Sequence, residues 1–341
     1  MFIHQHSSPT EFLSAAYPYL KDEEASANIV LAHAWKLRTS SENLANGEPQ
    51  LYVVEDTGSP SPPSSLWITV WVPNSQGRSG VALKLVLTCV RGELGNYPIF
   101  LWMARGRGQF SEVERDTVIE NAARQLASSV DPRRVFSIFG ELLVVKKFES
   151  VWTMLTGYQT FRDPYYHAVS GKCTAGSLSK LQDPLPVGDT IRLARWEDID
   201  AVTLMCKEFS KTSHFPLGAE KAATEAGLLI SRNQLFLYES KNTIVSVCAI
   251  TRATENVAAV TMVYTPPKFR NHGSAERLVH YATTRTLTAG KKSAVVLYVG
   301  VHNSARKMYD RIGFTGLYQK PGVDLEEALE LGFIGTEKGH W

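Results

Sequence analysis

The sequence predicts a mixed α/β fold in which helices are layered on a sheet, and three observations support this class. Apolar runs of strand length and amphipathic runs of helix length follow one another along the chain. The first half repeats part of the rhythm of the second half. A length of 341 residues exceeds one typical compact domain and suits two cores of about 150 to 190 residues.

The second half shows the clearer order of elements. A strand at TIRLARW precedes two helices, EDIDAVTLMCKEFSK and GAEKAATEAGLLISR, and three strands follow at QLFLYES, TIVSVCAITR and NVAAVTMVY. The next helix, SAERLVHYATTRTLTAG, has apolar residues at i, i+3, i+4 and i+7 and ends near Gly290. A strand at SAVVLYVG, a helix at NSARKMYDRIGF and an extended piece at GLYQK complete the predicted order.

The first half indicates a drifted copy of this arrangement. Strands are predicted at QLYVVED, SLWITVWV, VALKLVLTCV and YPIFLWMA, then a helix at SEVERDTVIENAARQLASS, a strand at RVFSIFG and a helix at ELLVVKKFESVWTMLTGY. Aligning Gly157 and Tyr158 with Gly313 and Phe314 gives an offset of 156 residues, 313 less 157, which suggests a tandem duplication. A segment rich in Gly, Ser, Pro and Lys predicts a linker at 166–187 between domains 1–165 and 188–341.

Composition excludes several function classes. With 36 basic and 34 acidic residues, the net charge of +2 gives no whole-chain argument for nucleic acid. No apolar run approaches the roughly 18 residues of a membrane helix. The start, MFIHQHSSPTEF, lacks a secretory pattern, so we expect a chain that begins near Met1 and a cytoplasmic location. Four scattered cysteines without ligand spacing predict reduced, buried thiols, and we expect no metal.

The stretch VYTPPKFRNHGSAERLV, residues 263–279, combines features of an anion site. A strand leads through two prolines and a bare turn into a helix, whose first amides and dipole favour an anion. Gly273, Ser274 and Ala275 are small, so a phosphate could approach the backbone. Neither G-x-x-x-x-G-K-[ST] nor G-x-G-x-x-G is present here, which disfavours a nucleoside triphosphate or a dinucleotide.

Two motifs lie in this region. The first is R-x-x-G-x-A, formed by Arg270, Gly273 and Ala275. The second follows about 30 residues later in NSARKMYDRIGF, which is similar to N-x-x-A-x-x-x-Y-x-x-x-G-F with a shortened start at Asn303. Together they resemble the motifs of the GCN5-related N-acetyltransferase (GNAT) superfamily. The resemblance extends from Asp189 to the strand after the second motif and leaves the first half almost untouched.

The resemblance implies a GNAT-like, mostly antiparallel central sheet, two tandem domains of which the first is degenerate, and an N-acetyltransferase in the second. Acetyl-CoA or another acyl-CoA would be the co-substrate, and the acceptor would be a small-molecule amine or a protein amine. We expect no nucleic-acid or membrane partner and a monomer or homodimer. The residues implied to bind the cofactor are Met262, Val263 and Tyr264 for the pantetheine arm, Arg270, Asn271, His272, Gly273, Ser274 and Ala275 for the pyrophosphate, and Asn303.

Catalytic roles are less complete in the sequence. Tyr309 is the candidate acid for the departing thiolate, although a core aromatic is the alternative interpretation. The family position for a catalytic carboxylate falls near Ala259, where there is no acid, and Glu255 lies upstream. The amine could lose its proton to a water chain or to His214, which could also be an ordinary surface histidine. Two further histidines, His302 and His272, are weaker alternatives.

Two rival functions remain compatible with these residues. The missing carboxylate favours a non-catalytic acyl-CoA-binding module, and a protein-interaction module whose turn binds nothing is the other. In the duplication, Thr153 occupies the position of Tyr309, so we expect the first half to be catalytically silent. The sequence ARGRG at 104–108 could imitate a second phosphate loop but has Gln109 and Phe110 where small residues are needed.

Overall fold

The computed structural model describes residues 1–45, 65–73, 80–104, 111–180, 184–320 and 325–340. The chain forms two compact units, one of Met1–Pro164 with Leu329–Trp341 and one of Tyr165–Ala328. The strand predicted at QLYVVED and most of ARGRG lie outside the described residues. Among the described residues, no helix is long and apolar enough to span a membrane.

The first unit begins with elements that the sequence analysis did not assign. Its elements are β1 (Phe2–His6), α1 (Pro9–Leu20), α2 (Asn28–Ala45), β2 (Leu66–Pro73), β3 (Val81–Cys89), the short pair β4 (Arg91–Gly92) and β5 (Gly95–Asn96), β6 (Ile99–Met103), α3 (Glu112–Ser129), β7 (Ser137–Glu141) and α4 (Leu142–Thr156). Helix α3 starts at a capping box between Ser111 and Glu114. The elements predicted from SLWITVWV to ELLVVKKFESVWTMLTGY are all present.

The second unit has the predicted order of elements from β9 to α8. Its elements are β8 (Tyr166–Thr174), β9 (Asp189–Leu193), α5 (Ile199–Ser210), α6 (Ala219–Ser231), β10 (Leu235–Ser240), β11 (Thr243–Ile250), β12 (Val257–Tyr264), α7 (Ser274–Thr288), β13 (Ala294–Gly300) and α8 (Ala305–Ile312). Strand β14 (Glu327–Gly332) follows, and most of its residues belong to the first unit. The last strand is therefore β14 and not GLYQK, where the chain makes bends and single bridges.

The predicted boundary at 166–187 needs correction, because its first half is strand β8. Ala168, Val169 and Cys173 of this strand are buried, and its glycine, Gly171, is a packing position. A Cβ on Gly171 would lie 2.8 Å from Leu317, so the residue that suggested a linker instead admits a core side chain. The predicted end of the second domain also differs, since residues 329–341 belong to the first unit.

The two units share one topology, which supports the predicted duplication. The sheet order is β1-β2-β3-β6-β7-β14 in the first unit and β9-β10-β11-β12-β13-β8 in the second. In both, the pair that brackets a crossover helix is parallel, β6 with β7 around α3 and β12 with β13 around α7. The pairs from β1 to β6 and from β9 to β12 are antiparallel, which confirms the mostly antiparallel sheet.

Each unit has its own apolar core. In the first, α3 and α4 pack Ile119, Phe148 and the fully buried Trp152 against the sheet. In the second, α7 and α8 pack Leu278 and Ile312 against β11, β12, β13 and β8. All four cysteines are buried and free, as predicted.

The two matched C-terminal glycines of α4 and α8 give a stability prediction. Gly157 (φ 80°) and Gly313 (φ 110°) are both left-handed, so Gly→Ala costs about 1–2 kcal/mol at either position. A Cβ on Gly157 meets nothing within 4 Å, whereas one on Gly313 would lie 2.0 Å from the Ser177 carbonyl oxygen. We expect Gly313→Ala to lower the free energy of unfolding by a further ~1–3 kcal/mol. Urea unfolding followed by circular dichroism checks this, and equal losses in both variants would contradict it.

Candidate functional site

The sheet of the second unit opens between its two parallel strands. Strands β12 and β13 pair over only four residues, from Val257 with Ala294 to Val260 with Leu297. Beyond that point β12 stays with β11 as far as Tyr264, and β13 stays with β8 as far as Gly300. The β13-facing backbone groups of residues 261–264 therefore have no strand partner among the described residues. Three predicted cofactor residues, Met262, Val263 and Tyr264, lie in this segment.

An irregularity in β12 accompanies the opening. The register with β11 shifts between Ala249 and Ile250, so that Thr261 is the extra residue on β12. Its hydroxyl lies 2.9 Å from the Thr251 hydroxyl. At the strand exit, the Ser246 hydroxyl donates to the Tyr264 carbonyl at 3.3 Å and lies 2.8 Å from the Thr265 hydroxyl. These contacts hold the end of β12 on β11 while its other edge is left open.

The turn after β12 presents backbone amides with no acceptor. Asn271 (φ 65°) and Gly273 (φ 75°) are both left-handed, and Gly273 is the N-cap of α7 without a side-chain cap. Among the described residues, the amides of residues 271–276 donate no hydrogen bond, and the first helical bond runs from the Arg277 amide to the Gly273 carbonyl. These donors at a helix N-terminus form an array that suits an anion.

The charges around the turn are mainly positive. Arg270 is fixed by a 2.9 Å bond from its Nε to the Thr265 carbonyl, and Arg277 donates to the His272 carbonyl at 3.2 Å. The only acidic residue of the first turn of α7, Glu276, is paired with Arg311 of α8, whose Nε lies 2.9 Å away. Because Arg311 neutralises that carboxylate, the amides face no uncompensated negative charge from the first turn.

Tyr309 lies in the core cluster that includes the vertex of the opening. It is 8% exposed and packs in one cluster with Val260 and Leu297, the last paired residues of β12 and β13. Its ring meets Phe314 edge-on at 5.8 Å. Burial is the main cause that raises the pKa of Tyr309, and Cys248 and Tyr166 add to the rise. The hydroxyl therefore keeps its proton at neutral and mildly alkaline pH.

The other predicted residues occupy different environments. The Asn303 side-chain oxygen accepts a 2.9 Å bond from the Ala305 amide, the first amide of α8. Exposed His214, in the loop after α5, stacks on Tyr165 with ring centroids 4.4 Å apart. His272 and His302 are also exposed.

Neither carboxylate position considered from sequence supplies a base at the opening. Ala259 is buried, with no acid in its place. Glu255 precedes Val257, at the paired end of β12, and is six residues from Thr261. At about 3.3 Å per residue, the start of β12 at Val257 lies roughly 13 Å from Thr261, and Glu255 is in the bend before it. Glu255 is therefore at the end of β12 away from the opening.

A histidine and carboxylate pair that sequence reasoning missed lies at the open edge. The His167 Nε2 atom is 2.6 Å from Glu327 Oε2, and both side chains are about one-third exposed. His167 immediately precedes Ala168, which pairs with Gly300 at the diverging end of β13. Alternation along the strand puts His167 on the face of Val169, which packs in the cluster of Tyr309. His167 falls in the segment that is predicted as a linker because it is rich in Gly, Ser, Pro and Lys, so it is not considered as a site residue.

The comparisons with known proteins agree with this geometry. Residues 205–324 match the family model for the acetyltransferase (GNAT) domain. A Drosophila protein of known structure aligns over 97% of this chain and 97% of its own, with 13% identity and a TM-score of 0.60. A GNAT-family acetyltransferase from Colwellia psychrerythraea aligns over 98% of this chain and 99% of its own, with 12% identity and a TM-score of 0.51.

No curated protein matches the chain significantly. The two structural similarities extend over both units. Because the sequence identities are only 13% and 12%, these similarities show the fold alone. Residues 205–324 of the second unit are therefore similar to the GNAT acetyltransferase domain, and both units have a GNAT-like fold.

Proposed function

We propose that the second unit is an N-acetyltransferase that transfers the acetyl group of acetyl-CoA to a primary amine by direct attack. The observation that carries this proposal is the opening between β12 and β13, which lies directly before a turn of unbonded amides. An acyl-CoA combines an amide-containing arm with a pyrophosphate, and these two surfaces offer the complementary groups side by side. The bound thioester would supply the activated acetyl group.

The chain's own residues would hold the two parts of the cofactor differently. Backbone groups of Met262, Val263 and Tyr264 would bond the pantetheine arm as an added strand does. Amides from Asn271 to Ala275 would bind the pyrophosphate, with Arg270 and His272 at the rim and Ser274 buried beneath. Since Asn303 commits its oxygen to α8, only its amide nitrogen would be available for the cofactor.

Tyr309 would stabilise the departing thiolate. A thiol pKa is about 8.5, below the raised pKa of Tyr309, so full transfer of the tyrosine proton is uphill. The hydroxyl would instead donate a hydrogen bond to the charge as it develops.

The amine acceptor must lose a proton, because an amine of lysine type has a pKa of about 10.4. His214 and His167 are the two candidates for the proton acceptor. Glu327 orients the ring of His167, whereas His214 rests on Tyr165 in an exposed loop. Orientation by a carboxylate favours His167 for this role.

The first unit would be catalytically silent. Thr153 stands at the position of Tyr309, and its hydroxyl donates a 2.8 Å bond to the Tyr158 carbonyl. A Cβ on Gly140 would lie 2.8 Å from the Leu101 carbonyl, so β6 and β7 stay close one residue past their last pair. These contacts support one active site in the chain.

The test of the function is release of free thiol from acetyl-CoA with a panel of small amines, amino acids, aminoglycosides and lysine peptides. We expect at least one amine to raise the rate well above hydrolysis and to appear as its N-acetyl product by mass spectrometry. Saturable acetyl-CoA binding with no amine-dependent release would instead favour the non-catalytic acyl-CoA-binding module. No binding at millimolar acetyl-CoA would favour a protein-interaction module.

The role of Tyr309 is tested by Tyr309→Phe. Because only a hydrogen bond to the leaving group is lost, we expect kcat to fall by about 10²-fold and the Kd for acetyl-CoA to change by less than about twofold. Tyr281→Phe, in α7 with its ring 6.1 Å from Phe236, is the matched control and should retain activity. Equal kcat values for Tyr309→Phe and the wild type would remove Tyr309 from the mechanism.

The proton acceptor is tested by His167→Ala and His214→Ala. We expect His167→Ala to lower kcat/KM for the amine by at least about tenfold at pH 7, with recovery at alkaline pH where more free amine is present. His214→Ala should cost less. The reverse ranking would assign the role to His214, and full activity in both variants would indicate a water chain.

A further inference from the structure

Three potential metal ligands converge at the start of the first unit. His4 and His6 lie two residues apart on β1, and Glu11 is in the first turn of α1. One ligand atom from each lies within 4.8 Å of the others. The acetyltransferase site of the second unit uses none of these residues, and the sequence analysis expects no metal here.

The hydrogen bonds of Thr69 fix the tautomer of His6. The Thr69 hydroxyl donates to the His4 carbonyl at 3.3 Å, so its oxygen acts as the acceptor for its other partners. Those partners are Trp71 Nε1, at 2.9 Å, and His6 Nε2, also at 2.9 Å. His6 therefore carries its proton on Nε2, and its Nδ1 has a lone pair.

That lone pair points at another acceptor. His6 is 1% exposed, and its Nδ1 is buried without a hydrogen-bond partner. Glu11 Oε1 lies 3.4 Å from this nitrogen. A lone pair and a carboxylate oxygen repel one another at this distance unless a cation lies between them.

The distances from the Glu11 carboxylate to the two imidazoles match metal coordination. Glu11 Oε1 lies 3.3 Å from His4 Nε2 and 3.4 Å from His6 Nδ1. Ligands bound tetrahedrally to zinc at about 2.0–2.2 Å are separated by about 3.4 Å. The second carboxylate oxygen is oriented by the Ser7 amide at 3.2 Å, and the Glu11 amide donates to the N-cap Ser8 hydroxyl at 3.2 Å. The carboxylate is thus held in place by the backbone.

We propose that His4 Nε2, His6 Nδ1 and Glu11 Oε1 bind one divalent transition-metal ion of the zinc class. Two imidazoles and a carboxylate suit Zn²⁺, and a fourth position is left for water or another ligand. The Thr69 hydroxyl accepts a hydrogen bond from the other ring nitrogen of His6 and so orients the ring. Bound metal joins strand β1 to the first turn of α1, so it stabilises the N-terminal edge of the first unit.

The test uses full-length protein without a histidine tag, freed of metal by a chelator and titrated with Zn²⁺ against a chromophoric competitor. We expect one Zn²⁺ per chain and a rise in Tm with Zn²⁺. When Co²⁺ replaces Zn²⁺, we expect the d–d absorption spectrum that is typical of Co²⁺ with few ligands. His4→Gln removes an exposed ligand without disturbing the core and should weaken Zn²⁺ binding at least about tenfold. Thr69→Val keeps all three ligands and should weaken it about 10- to 100-fold.

The matched control is Glu112→Gln, which removes an exposed first-turn carboxylate from α3 and should bind Zn²⁺ as the wild type does. Wild-type protein that takes up no Zn²⁺, or a His4→Gln variant of unchanged affinity, would overturn the proposal. Because the readouts are metal affinity and Tm, neither result depends on acetyltransferase activity.

Discussion

The short pairing of β12 with β13 is the constraint on which the candidate active site depends. The two parallel strands pair over four residue pairs. Beyond them, β12 remains paired with β11 and β13 remains paired with β8, so the two strands separate. Backbone N–H and C=O groups in a buried sheet need hydrogen-bond partners. The β13-facing groups of residues 261–264 have no strand partner among the described residues, so a ligand can bond to them. The turn before α7 follows the open segment, and its unbonded amides suit an anion. Tyr309 packs in the same core cluster as Val260 and Leu297, the last paired residues before the opening.

The two units share one topology but differ in the side chains at equivalent positions. Both units contain a parallel pair around a crossover helix, but the first unit replaces the tyrosine with a threonine bonded to the local backbone. The same unit places two histidines on its edge strand β1 and a glutamate in the first turn of α1. Fold alone does not determine function, and here the side chains at equivalent positions separate the two units.

The sequence was informative where backbone geometry demands particular residues. Gly273 and Gly313 occupy left-handed positions at the turn and at the end of α8, and the apolar pattern between them predicted α7, β13 and α8. It was misleading where composition and structure diverge, since Gly171 in β8 is a close-packing position and not a sign of a linker. His167 with Glu327 and His6 with Thr69 join residues 160 and 63 positions apart. Only the paired strands bring such residues together, and no local pattern marks them.

The most direct measurement for the central claim, that backbone amides at the start of α7 hold the pyrophosphate, is acetyl-CoA affinity by calorimetry for Ala275→Asp and Ala275→Asn. Both side chains have nearly the same size, and an acid in the first turn of a helix does not destabilise it. The account predicts that Asp weakens binding at least about tenfold, or ~1.4 kcal/mol, through repulsion, while Asn changes it less than about threefold. Equal affinities for the two variants would contradict the account.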